Sequence, residues 1–115
     1  MPVLPILLIE DDRDLARILE HVLIDADYKV EVVGTVAAAY QSISRGSYSL
    51  VIADLRLPDG SGAEVADEAA KHGIKTAILS GYAHQLTREV ADRHEIMLKP
   101  MRPMELITTV RRLIG

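Results

Sequence analysis

The feature that most limits how this chain folds is a strict alternation of two hydrophobic periods from one end to the other. Short uninterrupted apolar runs, "ILLI" (Ile6 to Ile9), "SLVIA" (Ser49 to Ala53), "TAILS" (Thr76 to Ser80) and "IML" (Ile96 to Leu98), read as strands covered on both faces. "KVEVV" (Lys29 to Val33) alternates, as an edge strand does. Between these runs the spacing turns helical. Leu15, Ile18, Leu19, Val22 and Leu23 share one face of a helix starting near Arg13, and Val36, Ala39, Tyr40 and Ile43 share one face of a second, capped by Thr35 and ending near Gly46. Ala63 to His72 forms a third helix closed by Gly73, and Leu86 to Arg93 at most a short fourth. Pro103 opens a fifth, with Leu106, Ile107, Val110, Leu113 and Ile114 on one face. Crossovers of this length predict a doubly wound α/β domain, a five-stranded parallel sheet with helices on both faces.

A chain of 115 residues holds one domain, residues 1–115, and the net charge of −4 offers no basic field for a phosphate backbone, which argues against direct nucleic-acid binding. The absence of cysteine excludes disulfides, thiolate metal sites and a cysteine nucleophile. No apolar run is long enough to span a bilayer and no signal peptide precedes the first strand, so the expected location is cytoplasmic.

In such sheets ligands bind beyond the carboxyl ends of the strands. The residues just past the apolar runs are Glu10 and Asp11, Gly34, Asp54, Ser80 and Lys99. Three carboxylates converging on one rim call for a cation, and an oxygen-only site points to Mg²⁺. Asp54 is suited to nucleophilic attack on phosphorus, with Lys99 as a compact charge for a phosphoryl oxygen and Ser80 as a hydroxyl donor. Asp12 and Asp59 read as capping and turn carboxylates. His21, His72, His84 and His94 lack metal spacing and read as surface or helix-end residues.

Taken in order, "ILLIEDD", "VIADLRLPDGSG", "AILSGYA" and "MLKPMRP" resemble the receiver domain of two-component response regulators over essentially the whole chain. The resemblance implies a flavodoxin-like sheet in the order 2-1-3-4-5. It implies Asp54 as phosphoacceptor and Glu10 with Asp11 as the acidic pair. The Arg56 backbone carbonyl would complete an Mg²⁺ site, Ser80 would be the switch hydroxyl and Lys99 the lysine. It also implies a cis Lys99–Pro100 peptide. The implied activity is self-catalysed phosphorylation and slow dephosphorylation rather than turnover of a separate substrate. The implied partners are a histidine kinase or histidine phosphotransfer protein and a downstream protein target, for a monomer or weak dimer. The sequence stops at "RRLIG", which leaves two expectations open, a stand-alone receiver or a receiver cut from a longer protein, and Arg111 and Arg112 mark a candidate partner face.

The pattern departs from the family at Ile96, where receivers usually carry Tyr or Phe three residues before the lysine. "SGY" at Ser80 to Tyr82 resembles an atypical subgroup with "TGY", so the Gly81 hinge and Tyr82 are expected to carry the response instead. Arg56 and Tyr82 would flank the water route to an aspartyl phosphate and slow its hydrolysis. Two rival readings are a haloacid-dehalogenase-like phosphohydrolase and a degenerate receiver that binds partners without accepting phosphate.

Overall fold

The computed structural model describes residues 4–81 and 86–115. Five parallel strands form one sheet: β1 (Ile6–Ile9), β2 (Val30–Val33), β3 (Leu50–Asp54), β4 (Lys75–Ser80) and β5 (Glu95–Leu98), in the order β2-β1-β3-β4-β5. Five helices connect or follow them: α1 (Arg13–Asp25), α2 (Val36–Arg45), α3 (Gly62–Lys71), α4 (Arg88–Arg93) and α5 (Pro103–Ile114). This is the flavodoxin-like architecture that the alternating periods and the resemblance predict.

Why β1 is apolar throughout, and β3 at every position before Asp54, follows from the two cores. Ile6, Leu8, Leu50 and Ile52 pack on one face with Leu19 and Leu23 of α1 and Leu106 and Val110 of α5. Leu7, Ile9, Val51 and Ala53 pack on the other with α2 and α3, through Val36, Ala39, Ile43, Val65 and Ala69. Successive side chains point to opposite faces, so a strand between two cores needs no polar residue.

Helix starts follow local chemistry. Asp12 caps α1, accepting from the Asp14 and Leu15 amides, and Thr35 caps α2 by accepting from Ala38. Pro103 occupies the first turn of α5. Three details differ from the sequence expectation. Ile18, on the predicted apolar face of α1, is 58% exposed, and Tyr40 is also exposed. A two-residue antiparallel ladder, Arg56–Leu57 with Gly60–Ser61, shapes the loop after β3. His94, read as a surface or helix-end residue, does end α4, but it is buried at 6% exposure, whereas His21 and His72 are exposed. Tyr82 and His84 lie outside the described residues.

Candidate functional site

The topology brings the ends of β1 and β3 side by side, since Ile9 pairs with Ala53. Glu10, Asp11 and Asp54 follow directly, and each offers a carboxylate oxygen within 4.8 Å of the others. Glu10 and Asp54 are buried, and Asp11 is exposed. Desolvating a carboxylate favours its neutral form. Burial, followed by the neighbouring Asp54 carboxylate, pushes Glu10 up to about 7, against the opposing pull of Lys99 and the Asp12 amide.

Lys99 reaches this rim from the end of β5. Ser80 pairs with Leu98, and the Lys99 amide donates to the Ser80 carbonyl at 2.8 Å, extending the ladder by one residue. The Lys99 ammonium then donates to Asp54 Oδ2 at 2.9 Å and to Glu10 Oε1 at 3.1 Å. Burial works against its charge, but the two carboxylates outweigh that and raise its pKa. The Lys99–Pro100 peptide is cis.

Ser80 is buried at the end of β4, and Gly81 follows it at the surface. Among the described residues nothing lies within 4 Å of where a Gly81 Cβ would sit, so packing does not demand glycine there. Ile96 is half-buried in β5 opposite Ile78. Asp54, Arg56, Ser80, Gly81 and Lys99 border a cavity of about 630 Å³.

Two contributors are not evident from strand ends. The first is Gly62, which opens α3 directly beneath the candidate nucleophile. A Cβ at Gly62 would lie 2.0 Å from the Asp54 carbonyl oxygen, so only glycine allows this crossing. The Gly62 amide donates to the Leu55 carbonyl at 3.0 Å, and the Arg56 amide points at Asp54 Oδ1 at 3.4 Å. The sequence signal was present in "DGSG", but only the fold reveals which glycine meets the backbone. The second is Asp59, whose two carboxylate oxygens accept from the Val36 and Ala37 amides at 2.7 and 3.0 Å. Those bonds lower its pKa and bolt the loop after β3 to the start of α2.

The donor set fits a hard divalent cation: three carboxylates in reach of one point, two of them buried and crowded enough that one resists ionisation.

Residues 6–111 match the response regulator receiver domain family. The response regulator receiver protein CpdR of Brucella abortus is 27% identical over 114 residues, which is 95% of each chain. The swarming motility regulation protein RssB of Serratia marcescens is 32% identical over 111 residues, covering 92% of this chain and 51% of that protein. The chain likewise spans only 48% of VanR of Enterococcus faecium. Among solved structures, TrrA of Thermotoga maritima, in complex with Mg²⁺-BeF, superposes with a TM-score of 0.88 at 27% identity, covering 96% of this chain and 99% of that one. A match that runs from β1 into α5, over a sheet whose strand ends gather the acidic and basic groups at one rim, makes this chain a member of the response regulator receiver domain family.

Proposed function

We propose that Asp54 is the phosphoacceptor of this receiver domain, taking a phosphoryl group from a phosphohistidine on a kinase or phosphotransfer protein. The observation that carries the reading is the bridge made by the Lys99 ammonium between Asp54 and Glu10 at 2.9 and 3.1 Å. Receiver domains bind Mg²⁺ at an acidic pocket, and the residues suited to it here are Glu10, Asp11, Asp54 and the Arg56 carbonyl. Mg²⁺ supplies positive charge against the phosphoryl oxygens when bound. An Asp54 carboxylate oxygen attacks phosphorus as the phosphorus–nitrogen bond breaks. Lys99 holds one phosphoryl oxygen and Ser80 donates its hydroxyl to another. Gly62 and Asp59 hold the loop that carries Asp54 and Arg56 in place.

The 115 residues act as one receiver unit, and the surface changed by phosphorylation is read by a protein target. Among the described residues no helix is long and apolar enough to cross a membrane. A haloacid-dehalogenase-like hydrolase places its nucleophile on the first strand, whereas Asp54 ends β3, and the family match favours neither that reading nor a receiver without phosphate.

Labelling with phosphoramidate and Mg²⁺ is expected to add about 80 Da to wild type and nothing to Asp54→Ala, read by intact mass. An adduct that survives the substitution would overturn the assignment. The same labelled sample tests the switch, which we place at Gly81 and Tyr82 because Ile96 has no ring to rotate. Amide shifts should be larger at Gly81 and Leu86 than at Ile96, and the adduct should decay slowly if Arg56 and Tyr82 exclude water.

A further inference from the structure

The cavity beside Asp54 is larger and more apolar than a phosphoryl group requires. Asp54, Ser80 and Lys99 border it, but most of its wall is aliphatic: Leu15, Ile18 and Leu19 of α1, Leu79 of β4, and Pro100 and Met101 after β5. Its volume of about 630 Å³ falls in the range of sites that enclose small organic ligands. Ile18 belongs by spacing to the buried face of α1, yet it stands 58% exposed at this wall. An aliphatic side chain left in water beside a charged site gains from an apolar occupant.

We infer that this cavity is a leaving-group subsite, which lets the domain take phosphate directly from acyl phosphates whose acyl group is aromatic or branched. The inference rests on Asp54 being the phosphoacceptor. Lys99 complements the anionic end of such a donor and the aliphatic wall complements the acyl end. An Asp54 oxygen forms the new bond to phosphorus, the bond from phosphorus to the acyl oxygen breaks, and the carboxylate leaves with that electron pair. No proton is taken up or released, and the charge balances. Burial of the acyl group lowers the cost of reaching this transition state only for donors that have an apolar group to bury.

The experiment compares labelling rates of the full chain, with Mg²⁺, by benzoyl phosphate, acetyl phosphate and phosphoramidate at equal concentration. Wild type is expected to prefer benzoyl over acetyl phosphate by about tenfold, the size of discrimination an apolar pocket achieves. Ile18→Ser and Met101→Ser should bring that ratio close to one and leave the phosphoramidate rate unchanged, which also shows that the variants fold. Equal benzoyl and acetyl rates in wild type overturn the subsite, as does a benzoyl preference that survives both substitutions. No labelling by any donor would instead remove the phosphoacceptor reading itself, so the two failures are distinct.

Discussion

At the scale of single residues, the site depends as much on an absent side chain as on those present. Asp54 ends β3 buried at 8% exposure, and its backbone is crossed at contact distance by Gly62. Adding one methyl group there places a carbon 2.0 Å from the Asp54 carbonyl oxygen and 2.7 Å from its carbon, so the backbone itself has to move. Overpacking against backbone is destabilising, by about 2–4 kcal/mol where nothing flexible can yield. Gly62→Ala is therefore expected to lose stability by that order in urea unfolding and to slow phosphoramidate labelling. Gly81→Ala is the contrast, because no described atom lies within 4 Å of its added carbon, and its stability should stay within about 0.5 kcal/mol of wild type. Equal behaviour of the two variants would show that the close crossing does not set the position of Asp54.

At the scale of elements, α4 is the helix with the least hydrophobic attachment. It has six residues and none is buried. What holds it is polar: Arg93 donates twice to Asp67 of α3 at 3.1 Å, and His94, which closes the helix, places Nε2 2.7 Å from Asp67 Oδ1. The other ring nitrogen of His94 pairs with the Thr76 hydroxyl of β4. A proton on Nε2 donating to Asp67, with Nδ1 accepting from Thr76, satisfies every group. One carboxylate thus ties α3, α4 and the start of β5 together. Desolvation opposes the charge on Asp67, yet its bonds to His94 and Arg93 win and lower its pKa. Asp67→Asn should release α4, costing about 1.5–3 kcal/mol for a hydrogen bond to a charged group. The expected readout is faster hydrogen exchange at Ala91 to His94 with β1 and β3 unchanged, and a smaller increase in Arg93→Ala, which leaves the histidine bond intact. Unchanged exchange in Asp67→Asn would mean that α4 is held by something else.

For the molecule as a whole, the fold was legible in the sequence because every strand of the central sheet is marked by its own local composition. The rim was legible for the same reason, since Asp54 and Ser80 end their strands and Glu10, Asp11 and Lys99 follow directly on theirs. Local periodicity does not reveal pairings made by tertiary approach: Asp59 with α2, Asp67 with His94, Gly62 with Asp54, or the exposure of Ile18. The charge balance of the rim was legible in kind, and the structure adds its consequence for stability. Glu10 titrates at 4.5 as a free carboxyl and is held at about 7 in the folded chain. Between those values the folded state keeps a proton that the unfolded state has lost, so this group stabilises the fold at low pH. Its contribution, at most about 3 kcal/mol, fades as pH rises through 7. The lowered Asp59 and Asp67 act the opposite way, but their contributions are lost only as pH falls below the ordinary aspartate range. Without divalent cations, wild type should therefore lose stability from pH 5 to pH 8 relative to Glu10→Gln, measured by urea unfolding at each pH. Cation binding requires the ionised carboxylate, so stabilisation by Mg²⁺ should grow over the same interval in wild type and far less in Glu10→Gln. Parallel pH profiles for the two proteins would show that Glu10 stays ionised in the folded chain, with Lys99 rather than a proton balancing the paired carboxylates.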